Sequence, residues 1–139
     1  MAHWLFKEEP SHYSFADLLR EKWTVWDGVE NNLALSHLRK VRRGDMAFFY
    51  HTGSEKAVVG VMEVLKDAYA DPTQENPRLV VVDVKPTRQL ERPVTLAEIR
   101  ANPKFVDLAL VRITRLSVMP VTVSQWEEIV AMARCESSE

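Results

Sequence analysis

Three short stretches of the chain combine aromatic rings with small polar side chains at points where regular structure is expected to break. They are TVWDGVENN at residues 24–32, FFYHTG at residues 48–53 and RLSVMPV at residues 115–121. An indole beside a turn offers a flat π-face that can stack on a planar or cationic ligand, and it can equally fill a core. Amide, imidazole and hydroxyl groups nearby could hydrogen-bond to the edge of such a ligand. Taken singly, each stretch is more often structural than functional.

Signatures of catalysis and of metal binding are absent from the sequence. The four histidines are scattered without the spacing of a zinc site, and the single cysteine, Cys135, cannot form a disulfide within the chain. No nucleophile elbow, Walker loop or dinucleotide fingerprint occurs. We therefore expect no metal, no other cofactor and no enzymatic activity. The enzymatic alternative would use His51 as general base near Lys7 or Glu8.

Composition indicates one globular domain with an ordinary charge content. The chain has 139 residues, of which 46% are hydrophobic and 27% charged, with a net charge of −2 and a pI of about 6.1. A slightly acidic protein is not expected to bind nucleic acid mainly through many phosphate contacts. A nucleic acid would have to be bound by a pocket or a small patch. The N-terminal residues hold no apolar run long enough for a signal peptide or a membrane span. We expect a cytoplasmic monomer that does not associate with membranes.

Four basic residues, which we call the basic cluster, follow the second predicted helix: Arg39, Lys40, Arg42 and Arg43. Cations near a helix C-terminus interact favourably with the helix dipole, so a solvated cap explains them without any ligand. They could also contact phosphate. Residue type alone favours the cap.

Local patterns predict short helices. A Ser or Thr followed three residues on by an acidic or amide side chain, as in a capping box, predicts helix starts at Ser14, Thr95 and Thr122. Another helix is expected after the turn that follows Trp26, with Asn31 or Asn32 as its N-cap and Gly44 as its terminator.

Apolar and β-branched segments predict a largely antiparallel sheet. AHWLF is expected to form a first strand that Pro10 ends, and three more strands are expected in MAFFYHT, KAVVGVMEVLKDAYAD and RLVVVDVKPTRQL. The nearly continuous apolar run VVVDV predicts a strand covered on both faces. Gly60 indicates a bulge or a close approach of the backbone. The sum is an α+β domain, in which a curved sheet is surrounded by short helices.

The tryptophans divide by context. Trp4 lies in a predicted strand and is expected in the core. Trp126 shares the apolar stripe of the last helix with Val123, Ile129 and Val130. Trp23 follows charged residues and is expected to cover a surface edge.

The ordered set HWLFKEEP, YSFADL, TVWDGVENN, GDMAFFYHTG, VVGVMEV, AYADPT, PVTLAEI and RLSVMPVT resembles the EVE domain family. The resemblance extends from residue 2 to about residue 132, and it is specific as a set, although no single motif is. It implies a PUA-like curved β pseudo-barrel with short surrounding helices. We therefore expect a single EVE domain over residues 1–134, followed by a short C-terminal tail at residues 135–139.

The resemblance also implies a function. EVE domains look like noncatalytic domains that bind modified bases, with modified cytosine in DNA the leading substrate class for some members. A flipped base would enter an aromatic pocket and be recognised at its edge by polar groups. Carried over by position, the expected pocket residues are Lys7 as a polar reader, Trp26 as the stacking wall, Asn31, Tyr50 and His51 at the rim, and Leu116 with Ser117 on the opposite side.

The sequence departs from the family pattern beside the expected pocket. Family members often have WDGVRNYQAR where this chain has WDGVENNLAL, so that Glu30 stands in the place of an arginine. A carboxylate at this position would repel the phosphates of a nucleic acid and weaken binding to a duplex. The partner could therefore be modified DNA, modified RNA or a free modified nucleoside. A further alternative is a protein-interaction module that uses Trp23 and an acidic face.

Overall fold

A seven-stranded mixed sheet organises residues 1–134, the part of the chain that the computed structural model describes. Its strands are β1 (His3–Glu8), β2 (Thr24–Trp26), β3 (Met46–His51), β4 (Ala57–Val64), β5 (Tyr69–Ala70), β6 (Val80–Thr95) and β7 (Val118–Val121). The helices are α1 (Phe15–Glu21), α2 (Asn32–Leu38), α3 (Leu96–Arg100), α4 (Ala109–Arg112) and α5 (Val123–Met132), with a 3-10 turn at Pro103–Phe105. The predicted α+β class is confirmed. The predicted tail at residues 135–139 lies outside the described residues.

The strand order is β2-β6-β4-β3-β1-β7, and β5 pairs with β6. Only the β1–β3 pair is parallel among the strand pairs of the described residues. Register shifts near Gly60 on β4 interrupt its ladders with β3 and β6, and such bulges increase local twist and bend. The sheet curls into a half-barrel.

Capping chemistry places the helix starts where the sequence predicts them. The capping boxes at Ser14, Thr95 and Thr122 all form, and Asn31 caps α2 by accepting a hydrogen bond from the backbone N–H of Ala34 at 2.9 Å.

No helix in the described part of the chain is long and apolar enough to cross a membrane.

The prediction that Gly44 terminates the second helix is wrong. The helix ends at Leu38, and the backbone N–H of Val41 donates back to the Leu38 carbonyl in a tighter turn. The buried carboxylate of Asp45 then fixes this turn, because it accepts from the Arg42 backbone N–H at 2.9 Å and from the Trp4 indole N–H at 3.0 Å. Gly44 has a φ of 89° and serves the turn into β3.

An aromatic cluster fills the curl of the sheet. The Trp26 ring lies 5.3 Å from Phe6 and 5.2 Å from Phe49, and Phe15 of α1 meets Phe49 edge-on at 5.5 Å. Gly60 admits the Phe15 ring, because a Cβ at this position would lie 2.4 Å from it. The close approach predicted at Gly60 is thereby confirmed.

The tryptophans other than Trp26 lie as expected, whereas one valine of the last helix does not. Trp4 is buried, Trp126 stacks on Phe48 at 3.8 Å, and Trp23 is 52% exposed. Val123, placed in the apolar stripe by the sequence pattern, is instead the first residue of α5 and is 57% exposed.

Gly60→Ala should lower the free energy of unfolding by about 1–3 kcal/mol, because the added methyl group overpacks against Phe15. Urea denaturation of the variant measures the loss. Phe15→Leu in the same chain should recover part of it by clearing the ring, so that the two changes couple in a double-mutant cycle. Additive effects of the two substitutions would contradict the predicted contact.

Candidate functional site

Side-chain alternation along the parallel β1–β3 pair divides the polar residues between two faces of the sheet. Lys7 is in register with Tyr50, and Glu8 with His51. Neighbouring residues on a strand point to opposite faces, so Lys7 and Tyr50 lie on one face while Glu8 and His51 lie on the other. Trp26 packs on Phe6 and Phe49, which places it on the face of Glu8 and His51.

One cavity, which we call the acidic cleft, opens on the face that carries Glu8. It has a volume of about 180 Å³ and is lined by Glu8, His12, Tyr13, Thr24, Val25, Trp26 and Asp27. Two carboxylates and two aromatic side chains thus surround a space that is below the roughly 300 Å³ of the smallest drug-sized pockets. Its size suits one flat ring rather than a whole nucleotide.

Hydrogen bonds leave acceptor capacity inside the acidic cleft. Oε2 of Glu8 lies 2.6 Å from Nδ1 of His12, and this contact with its charge raises the pKa of His12. Oε1 of Glu8 and the carboxylate of Asp27 accept no hydrogen bond from any residue in 1–134. The Tyr13 hydroxyl donates to Glu21 at 2.8 Å, and burial raises its pKa to about 12, so it stays a donor.

Trp26 contributes less to this cleft than a stacking wall requires. It is 5% exposed, and Phe6 and Phe49 pack against it. Only a small part of the indole therefore borders the acidic cleft. The role of Trp26 as the wall for a base stays a prediction.

His51 joins β3 to the start of α1 through its ring nitrogen Nε2. Its Nε2 accepts from the Phe15 backbone N–H at 3.0 Å, so Nδ1 carries the proton and donates to Glu55 at 2.7 Å. The side chain is buried, and both ring nitrogens are engaged. This arrangement supplies the first N–H of α1 with an acceptor.

A second cavity, which we call the basic cavity, opens on the opposite face beside Lys7. Its volume is about 260 Å³, and its polar lining comes from Lys7, Tyr50, Thr52, Lys56, Arg100 and Thr114, with Leu96 and Leu110 as apolar walls. The Lys7 ammonium donates to the Thr114 carbonyl at 2.9 Å and lies 5.7 Å from the centre of the Tyr50 ring. Burial lowers the pKa of Lys7 and raises that of Tyr50 to about 12.

The seven expected pocket residues therefore do not line one common cavity. Lys7 and Tyr50 line the basic cavity, Trp26 borders the acidic cleft, and Leu116 lines a third cavity near β7. Asn31 is occupied as the N-cap of α2, with its side chain exposed. Ser117 meets Lys7 through the backbone, since its carbonyl accepts from the Lys7 N–H at 2.9 Å.

The basic cluster lies at the far end of the central strands. The turn that contains Arg42 leads into Met46, which pairs with His3 at the start of β1, whereas the acidic cleft borders Glu8 at its end. Five steps along a strand span about 17 Å. Arg39 donates to the Arg78 carbonyl at 2.8 Å and Arg42 to the Arg39 carbonyl at 2.7 Å, in keeping with a capping role.

Sequence patterns did not single out Tyr13, Asp27, Lys56 or Arg100 as site residues. Asp27 stands beside Trp26 in the motif and could have been found there, whereas Lys56 and Arg100 are common surface types in a turn and a short helix. Among residues 1–134, no group of three or more His, Cys, Asp or Glu side chains could hold a metal ion.

Comparison with known proteins gives a consistent result over nearly the whole chain. The EVE domain model matches residues 2–132. Human thymocyte nuclear protein 1 is 30% identical over 99% of this chain and 76% of its own length. A Rhodopseudomonas palustris protein solved by NMR is 41% identical with a TM-score of 0.90, over 96% of this chain and 93% of its own.

One of the similar structures contains DNA. The human THYN1 protein in complex with 5-methylcytosine-containing DNA superposes with a TM-score of 0.89 at 29% identity, over 98% of this chain and 99% of its own. The PUA-like fold expected from the resemblance is confirmed.

Glu8→Gln should lower the pKa of His12 towards its ordinary value, because the variant loses the carboxylate that holds the imidazolium. NMR titration of the histidine ring protons measures it. His37 is the internal reference, since its pKa is lowered by burial without help from Glu8. An unchanged His12 pKa in the variant would mean that the pair does not form in solution.

His51→Ala should lower the free energy of unfolding by about 1–3 kcal/mol, because the Phe15 N–H loses its acceptor in a buried place. Chemical denaturation measures this loss. Glu55→Gln, which keeps the imidazole in place, should cost less. Equal stability of His51→Ala and the unchanged chain would refute the bridging role.

Proposed function

Because this chain belongs to the EVE domain family, we propose that it binds DNA containing a modified cytosine and accepts the flipped base in the acidic cleft. Human THYN1, a relative of the same fold, forms a complex with DNA that contains 5-methylcytosine. Membership of the same family makes modified DNA the first partner to test. RNA and free nucleosides are second choices, because the similar structure that contains a nucleic acid contains DNA.

The acidic cleft supports this proposal through its hydrogen-bonding chemistry. Cytosine presents an N4 amino group, and carboxylates are its natural side-chain acceptors. Glu8 keeps one oxygen without a partner in residues 1–134, and Asp27 stands across the same space. This pair of available acceptors is the observation that carries the assignment of the cleft to cytosine.

The remaining walls suit a methylated pyrimidine ring. Tyr13 and the open part of Trp26 supply aromatic surface, and Val25 offers an apolar contact for a methyl group. Flipping the base out of a duplex costs a few kcal/mol, which contacts of this kind must offset. A small cleft with several oriented acceptors favours selectivity for one base over high affinity for any DNA.

The binding role that we propose is noncatalytic. The enzymatic alternative required His51 as a general base, but its two ring nitrogens are engaged by Phe15 and Glu55. Imidazole without an open nitrogen cannot take a proton from a substrate unless it gives up one of these partners. The interaction-module alternative rests on the exposed indole of Trp23, for which the described structure offers no partner of defined chemistry.

The unchanged protein should bind a duplex with one 5-methylcytosine more tightly than the same duplex with cytosine. Glu8→Gln should weaken binding to the methylated duplex by about tenfold, the value of one charge-assisted hydrogen bond to the base. Fluorescence anisotropy at fixed salt concentration measures both.

Glu63→Gln is the matched control for this experiment. It removes the same charge from an exposed pair with Lys85, away from the acidic cleft, and should leave the affinity equal or slightly higher. Equal affinity for the two duplexes would overturn the proposed function. A loss shared by both variants would instead remove Glu8 from the base contact.

A further inference from the structure

The basic cavity concentrates positive charge in a chain whose net charge is −2. Lys7, Lys56 and Arg100 line it, and no carboxylate does. Glu9 adjoins two lining residues, since its carboxylate accepts from the Thr52 hydroxyl at 3.3 Å and lies close to Gly53. Three lining cations and no lining carboxylate leave a local excess of positive charge.

The cations of this cavity are not neutralised by the protein. Within residues 1–134, the side chains of Lys56 and Arg100 form no hydrogen bond and no ion pair, and both residues are exposed. Lys7 uses one of its three donors on the Thr114 carbonyl. Donors of two chemical kinds thus face the same space, a planar guanidinium fork and two ammonium groups.

A buried hydroxyl without a partner points to a missing ligand at the same place. Tyr50 is 3% exposed and lines the cavity, yet its hydroxyl makes no hydrogen bond with any residue in 1–134. Burying a hydroxyl without a partner is costly, and natural proteins rarely leave one unsatisfied. With a pKa of about 12, this hydroxyl is protonated and can donate to an acceptor.

We propose that the basic cavity is a second ligand site, which binds a phosphate group between Lys7, Lys56 and Arg100 with the Tyr50 hydroxyl as a further donor. A phosphate offers several acceptor oxygens and matches both ammonium and guanidinium donors. Leu96 and Leu110 give the cavity an apolar side, which suits the organic part of a phosphate ester.

Two sources of phosphate fit this chemistry, a free phosphate ester and the backbone of DNA. The basic cavity borders Lys7 and the acidic cleft borders Glu8, so both open at the same end of β1. A strand whose flipped base enters the cleft could therefore place a phosphate at the cavity. Binding of a DNA phosphate at this site rests on the proposed function, whereas binding of a free phosphate ester does not.

The test combines a double variant, Lys56→Gln with Arg100→Gln, with a control of equal charge change, Lys40→Gln with Arg43→Gln. All four residues are exposed, so the fold should survive, which thermal unfolding verifies. Inorganic phosphate and a nucleoside 5′-monophosphate are titrated into each protein by calorimetry and by NMR.

The unchanged protein and the control should bind phosphate saturably, and the cavity variant should bind it at least about tenfold more weakly, as expected for lost hydrogen bonds to charged groups. Glu63→Gln, which changes an exposed charge away from the cavity, should leave phosphate binding unchanged. Absence of saturable binding to the unchanged protein, or equal binding by the cavity variant, would overturn the site.

Salt dependence of DNA binding then separates the two sources. If the phosphate belongs to DNA, the cavity variant should lose affinity for methylated and unmethylated duplexes alike, and the slope of log K against log salt should shrink by about 0.9 per lost phosphate contact. An unchanged slope with lost phosphate binding assigns the site to a free ester. If no methylated DNA binds but phosphate still does, the proposed function fails and the phosphate site stands.

Discussion

The parallel pairing of β1 with β3 is the constraint on which both cavities depend. It aligns Lys7 with Tyr50 and Glu8 with His51, and the alternation of side chains then sends successive residues to opposite faces. Because β4 and β7 flank this pair, neither strand can slip without moving its buried residues to the wrong side. Lys7 and Glu8, which are neighbours in the chain, therefore line two different cavities, one basic and one acidic.

The aromatic cluster explains why Trp26 is a structural residue whatever else it does. Phe6, Phe49 and Trp26 fill the curl of the sheet, and a smaller side chain at position 26 would leave a cavity among buried rings. The same packing holds β2 against β6, which brings Asp27 to the acidic cleft. The indole thus positions the polar groups beside it through packing.

Helix caps and close contacts were predictable from the sequence. Which residues lie on the same face of the sheet was not. Capping at Ser14 and the close approach at Gly60 follow from neighbouring residues, and the structure has both. Strand β2 has three residues and pairs with a strand more than fifty positions away, so no local pattern predicts it. The resemblance grouped Lys7 with Trp26 by their order along the chain, but their separation across the sheet depends on which strand pairs in parallel with β1.

Only charges close to the acidic cleft affect a phosphate bound beside it, because salt screens the more distant ones. The Debye length at physiological ionic strength is about 8 Å, so the basic cluster, about a strand's length or 17 Å away, is largely screened from a phosphate beside Glu8. The carboxylates of Glu8 and Asp27 that suit a cytosine amino group also repel the backbone that carries it. The cations of the basic cavity lie at the same end of β1 and partly offset this repulsion. A nucleic acid would therefore be held here by recognition of one base, with few phosphate contacts to hold any other sequence.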